Sequence, residues 1–364
     1  MPSRVAITNL NARSIDIINT IRANLGQDYQ DQVPEITNEK CIPQVGDVLY
    51  GYPVLANQFL SALVNRIAAV KVKSALFNNA YAELKKGYLE FGETVEEVYV
   101  NISKAREFSA EKAADREFKR TIPDVRTAFH AMNWRVQYPI TIQQQDLKQA
   151  FMTANGVTDL IARIISAVST AAEYDEYLLF KYLIIKGVNA NEMKSVTVDT
   201  SNGLNSAAVA FRGTSNVLEF MKTEYNAQGV HTTTPKDDQF IFMDAMFNAQ
   251  FDVNVLASAF NMDKANFMGH LKLIDDFTTF DSDRFSIIQA SSDMLPPVTQ
   301  EELDNMKGVL AVLCDREWFQ VYDNLTAFTD DYVAAGMYNN YFLNVWKTVS
   351  SSPFANAVVF KKGA

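Results

Sequence analysis

Leu160, Ile164, Ala167, Ala171, Tyr174, Leu178, Tyr182 and Ile185 recur at spacings of three and four. That is one face of an α-helix. The stretch Thr158–Lys186 holds 29 residues with neither Pro nor Gly. At 1.5 Å per residue it predicts a helix roughly 43 Å long, which would span a flat or elongated molecule. Thr158 is placed to cap its start, and Gly187 to take the left-handed conformation after Lys186.

A different period precedes the helix. Met132, Trp134, Val136, Tyr138, Ile140 and Ile142 alternate with Asn133, Arg135, Gln137, Pro139 and Thr141, which predicts a long strand. Val95–Ile102 reads as a second strand through its valines. Between them, Lys104 to Arg120 holds six basic and four acidic residues and few large apolar ones, so it reads as a projecting tip. Paired across that tip, the two strands form a long ribbon. An isolated hairpin is marginal in water, so the ribbon is expected to rest on a neighbouring subunit.

Upstream, residues 1–45 show two short apolar clusters and then polar sequence with Pro34 and Pro43. They read as an extended arm lying on another surface rather than building a core. Leu55, Phe59, Leu60, Leu63, Val64 and Ile67 predict a helix after Pro53. Downstream the pattern predicts strands at Val196–Val198, Gln239–Met243, Leu271–Ile274, Gly308–Cys314, Tyr341–Val349 and Asn356–Phe360. It predicts helices from Ser215 to Gln228, from Val253 to Phe260, and after Thr299, where Glu302 completes a capping box.

Composition narrows the function. The 364 residues are 48% hydrophobic and 21% charged, enough for one large or two medium cored domains. Net charge is −10 with a pI near 4.9, the opposite of a protein that grips nucleic acid. Cys41 and Cys314 make no disulfide framework. The longest uncharged run, Val48–Asn65, is too polar to cross a membrane. His130, His231 and His270 share no metal-ligand spacing, and no nucleotide-loop or nucleophile motif occurs, so no cofactor is expected. The acidic run Asp275, Asp276, Asp281 and Asp283 lacks the glycine and terminal carboxylate of a calcium loop and reads as a solvated acidic loop.

Order and local wording together carry a resemblance. Leu84–Val98, Ala257–Asn261, Phe267–Gly269, Trp346 and Ser352–Val358 resemble stretches of capsid proteins from short-tailed phages of Gram-positive hosts. The chain thus resembles the Hong Kong 97-type major capsid proteins of tailed phages. That implies an α+β fold with an N-terminal arm (1–45), the first part of a peripheral domain (46–93) and an extended-loop hairpin (94–145). A spine helix with more peripheral domain (146–199), an axial domain (200–305) and return strands (306–364) would follow. It implies a non-enzymatic coat subunit, assembled in the host cytoplasm into hexamers and pentamers of a virion shell. Partners would be other copies, a separate scaffolding protein, a portal protein and, by weak contact only, packaged double-stranded DNA. Lys104, Arg106, Lys112, Arg116, Lys119, Arg120 and Trp134 are the expected inter-subunit residues. The alternatives are an encapsulin-type compartment shell, which shares the fold, and a cytoplasmic α/β enzyme with an acidic site at Asp275–Asp283.

Overall fold

The computed structural model describes residues 14–68, 77, 79–90, 94–112, 120, 122–143, 150–152, 156–201, 204–251, 270–289, 292 and 294–363. The chain divides into two compact units. One comprises Met1–Asn79, Arg135–Glu176 and Leu325–Trp346; the other comprises Ala80–Trp134, Tyr177–Asn324 and Lys347–Ala364.

The first unit begins with α1 (Ser14–Asn24), which buries Ser14, Ile18 and Ile21 at helical spacing. α2 (Gln27–Gln32), α3 (Ile42–Gly51) and α4 (Pro53–Ala68) follow. Tyr29, Val33, Val45, Leu49, Phe59 and Leu63 join Ile18 and Ile21 in one core with Ile142, Phe151 and Tyr341. Asn19 exchanges hydrogen bonds of 2.8 and 2.9 Å with the backbone of Ile36, and Arg22 donates to the carbonyls of Gln30 and Val33. These contacts fold residues 14–45 back as core-building helices, which corrects the expected extended arm there. Its first thirteen positions lie outside the described residues. The predicted helix after Pro53 is α4.

In the second unit a five-stranded sheet has the order β5 (Lys194–Val198), β11 (Ala357–Lys362), β8 (Val309–Asp315), β6 (Gln239–Asp244), β7 (Leu271–Ile274). β8 lies antiparallel to both β11 and β6, whereas β5 and β7 pair in parallel at the edges. Rings cover both faces. Phe211 of α6 (Asn205–Val217) lies 4.6 Å from Phe360 and 5.7 Å from Phe251 of α7 (Ala245–Phe251). On the other face Phe242, Phe319, Phe180 and Tyr81 meet at 5.4–5.8 Å. Burial on both sides explains the unbroken apolar runs of β6 and β8. α8 (Ser282–Gln289) and α9 (Gln300–Asn305) complete this unit's described helices, and Thr299 and Glu302 form the predicted capping box. The expected helix from Ser215 is displaced: α6 ends at Val217, and the chain then turns around Asn226, whose side chain bonds both backbone groups of Val230. The predicted helix at Val253–Phe260 lies outside the described residues.

The long helix is α5 (Gly156–Asn189). Within the second unit it is buried all round, including Leu178, Leu179, Phe180, Ile184 and Ile185. Its end departs from the expected one. Gly187 is still helical, and the stop is Asn191 at φ 56°. Glu192 N–H donates to Gly187 O and Asn191 N–H to Val188 O, a Schellman closure. Gly187 is small for another reason. A Cβ there would lie 2.7 Å from Trp318 Cζ2, and Trp318 is itself buried edge-on against Phe319. Gly187→Ala is therefore expected to cost roughly 1–3 kcal/mol through overpacking. Urea unfolding of the two proteins checks this.

A four-stranded sheet has the order β1 (Gly87–Tyr88), β9 (Phe319–Val333), β10 (Tyr338–Ser351), β4 (Met132–Gln143). A separate two-stranded sheet joins β2 (Val95–Val100) to β3 (Val125–His130). The ribbon expected between Val95–Ile102 and Met132–Ile142 is thus re-paired. β2 takes β3, and β4 enters the larger sheet beside β10. A single non-strand residue, Ala131, separates β3 from β4.

Candidate functional site

β2 and β3 pair from Val95↔His130 to Val100↔Val125. Side chains alternate between two faces, so Val95, Glu97, Tyr99, Arg126, Ala128 and His130 share one, and Glu96, Val98, Val100, Val125, Thr127 and Phe129 the other.

The first face is docked on the hairpin's own unit. His130, 3% exposed, places Nδ1 2.6 Å from Ser350 Oγ and Nε2 3.2 Å from Glu97 Oε2. An ionised carboxylate only accepts, so Nε2 carries a hydrogen there. Ser352 Oγ donates to Glu97 Oε1 at 2.6 Å. The Tyr99 hydroxyl donates to His231 O, and its ring stacks on Phe354 at 5.7 Å. Arg126 Nη1 donates to Gln228 O at 2.5 Å. The hairpin therefore rests on its own body, which corrects the argument that it needs a neighbour simply to be ordered.

The second face is open. Val98, Val100, Val125 and Phe129 are exposed, Phe129 by 68%. Ile102, Ile122 and Phe108 extend the same character toward the tip, and Phe108 is 94% exposed.

At the tip, residues 101–109 carry no regular secondary structure, and Lys104, Arg106, Lys112 and Arg120 are all exposed. Arg116 and Lys119 lie outside the described residues. Trp134 belongs elsewhere. It is 1% exposed and packs on Phe285 at 5.7 Å, so it is a core residue and not a surface contact.

The other candidate chemistry is occupied structurally. Asp275 accepts from Lys181 Nζ at 2.7 Å and Tyr177 Oη at 2.5 Å. Asp276 binds Thr278, and Asp281 accepts from Arg284 N–H at the start of α8. Among the described residues no group of His, Cys, Asp or Glu could hold a metal ion, and no helix is long and apolar enough to cross a membrane. Sequence missed the His130–Glu97–Ser352 contacts because they join positions 33 and 255 residues apart.

Comparison with known proteins extends over nearly the whole chain. The family model described as Phi29-like phage major capsid protein matches residues 18–361. The major capsid protein of Bacillus phage B103 is 35% identical over 356 residues, covering 96% of this chain and 73% of that protein. That of Bacillus phage GA-1 is 33% identical, covering 100% of this chain and 73% of the relative. Among solved structures, a chain from the capsid of Staphylococcus phage Andhra superposes with a TM-score of 0.63 at 14% identity, over 81% of this chain and 88% of that one. The last is a likeness of fold, in agreement with the expected Hong Kong 97-like α+β architecture.

Proposed function

Because this chain belongs to the Phi29-like phage major capsid protein family, a structural subunit of the virion shell and no enzyme, we propose that it is laid down as hexamers and pentamers of an icosahedral head around double-stranded DNA. The observation that carries the assembly reading is the β2–β3 hairpin, whose described tip residues 102–112 are exposed apart from half-buried Ser109. In this reading residues 94–131 form the arm between subunits. The helices α1–α4 with the outer part of the β9–β10 ribbon form the peripheral domain, and the five-stranded sheet with α6 and α7 forms the axial domain. Lys104, Arg106, Lys112 and Arg120, with Arg116 and Lys119, meet acidic surface on a sister subunit; Trp134 is left out of that set.

Assembly takes place in the host cytoplasm with a separate scaffolding protein and a portal protein. A subunit of net charge −10 gains little from counterion release on DNA, so its hold on the packaged genome is weak. The test is direct. The full chain, expressed with its phage's scaffolding protein, is expected to yield megadalton particles in sedimentation and negative-stain microscopy. Protein that stays monomeric or dimeric under those conditions removes the reading.

A further inference from the structure

We infer that Asn356 and Thr234 are positioning residues: through the turn at residues 226–232 they set the direction in which the β2–β3 hairpin leaves its own body. That this direction serves an arm between subunits rests on the reading above. That these two residues set it rests on the geometry within one chain.

The hairpin stands on two shelves. The first is the end of β10 and the loop after it, where Ser350 and Ser352 meet His130 and Glu97, and the Phe354 ring stacks on Tyr99. The second is the turn at 228–231. Its carbonyls take the Tyr99 hydroxyl at His231 and Arg126 Nη1 at Gln228. His231 Nδ1 lies 2.9 Å from Asn101 Oδ1. An amide oxygen only accepts, so Nδ1 carries the hydrogen. The second shelf meets the hairpin beside Val100 and Val125, the pair farthest from His130. Support there fixes a direction; support at the His130 end alone leaves a pivot.

A small set of buried side chains joins the shelves to each other and to the five-stranded sheet. Asn356 is 1% exposed and stands just before β11. Its Oδ1 accepts from Thr232 Oγ1 at 2.8 Å, and its Nδ2 donates to Thr234 Oγ1 at 3.1 Å. Thr234, wholly buried, donates in turn to Asp315 Oδ2 at 2.6 Å, where β8 ends. Asp315 N–H returns to Asn356 O at 2.9 Å, and Gln228 N–H reaches Pro353 O at 3.2 Å, tying shelf to shelf. β6 and β11 begin where β8 ends, Gln239 facing Asp315 and Ala357 facing Cys314. The network is therefore seated on one end of the sheet.

Register in the sheet is set by its backbone pairs. The side-chain bonds add direction. Apolar side chains in their place would hold that end by packing, without selecting one angle for the turn. Buried hydrogen bonds with their partners in place select a single arrangement.

The test uses the full chain as a free subunit. Thr127, exposed on the hairpin's open face, and Lys307, exposed on the body, are each changed to Cys in a Cys41→Ser background and carry nitroxides; Cys314 is buried and stays unlabelled. Electron-paramagnetic-resonance distances between the labels report the hairpin's direction. The intact network is expected to give one narrow distribution. Thr234→Val keeps the side chain's shape, removes its hydroxyl and is expected to widen the distribution roughly twofold or more. Thr234→Ser keeps the hydroxyl and is expected to keep the narrow distribution. Asn356→Ala is expected to match Thr234→Val; should it fail to fold, the two Thr234 variants decide. A purely structural role would lower the melting temperature of Thr234→Val and leave the width unchanged, and that result overturns the inference. So does a distribution as wide in Thr234→Ser as in Thr234→Val. Particle yield with the scaffolding protein keeps the shell reading separate: if the unaltered chain forms no particles that reading fails, and the distances still decide whether these residues aim the hairpin.

Discussion

Replacing residues 104–120 by two glycines is expected to give a subunit that folds normally and builds no shell. The described part of that segment is exposed, apart from half-buried Ser109, and makes no β-pairing. The hairpin closes below it. Val100 faces Val125, Asn101 N–H donates to Asp124 O at 2.8 Å, and Asn101 Nδ2 donates to Asp124 Oδ2 at 3.0 Å. The base stays anchored through Tyr99, Arg126 and His130. Removal of a segment of this kind changes stability by about 0.5 kcal/mol or less. Assembly is another matter, since the deletion removes Phe108 and six cationic side chains from the arm. Circular dichroism and thermal melting report on folding, and electron microscopy on particles. An unfolded deletion mutant, or one that forms shells as the intact chain does, contradicts the expectation.

Asp323→Ala is expected to be the most damaging single substitution for stability. Lys347 Nζ lies 2.5 Å from Asp323 Oδ1 and is buried, its side chain only 5% exposed; Lys85 Nζ lies 2.8 Å from Oδ2. Asp323 also stands opposite Tyr88 where β1 joins β9. Without the carboxylate, Lys347 is left charged in a low-dielectric interior, a loss of roughly 3–5 kcal/mol. The exposed pair Lys307–Asp304 is screened by solvent and contributes little, so its removal is the control.

The same group sets part of the acid limit. Burial pushes the Asp323 carboxyl up, and the facing ammonium groups of Lys347 and Lys85 outweigh it, so the group titrates below the ordinary range. Its folded pKa is depressed. The stability it contributes is therefore present above the unfolded value, about 3.9, and is lost as pH falls through the lower folded value. Asp275, held by Lys181 and Tyr177 against its own burial, and Glu302, held by Lys186 in the same way, act with the same sign. Melting temperature is expected to fall below about pH 4, and less steeply in Asp323→Ala than in the unaltered chain. An equal slope in both removes Asp323 from the account.

Much of the fold was legible where one period ran without interruption. The long helix, β4, β6, β8 and the Thr299 capping box follow from spacing and cap chemistry alone. The misreadings share a cause: a decision made by residues distant in sequence. Ile18 and Ile21 look like isolated clusters in a polar segment, and only Asn19 and Arg22 reaching residues 30–36 make them core. Ala131 is too short an interruption to show that β3 and β4 are different strands. Gly187 sits where a helix terminator belongs, but its smallness answers Trp318, 131 positions downstream. The site was half legible. The charged tip stands out in the sequence. The apolar face does not, because alternation tells that a strand has two sides and not which side its own chain covers.

The anchoring of the hairpin has a consequence for how the chain is made. His130 meets Ser350 across 220 residues, and Glu97 meets Ser352 across 255. A ribosome delivers β2 and β3 long before residues 350–354 emerge. Until then the hairpin has the backbone carbonyls of Gln228 and His231 to bond but lacks its contacts with Ser350, Ser352 and Phe354. Truncated or stalled products lacking that final stretch thus lose the Ser350, Ser352 and Phe354 anchors of the hairpin's inner face.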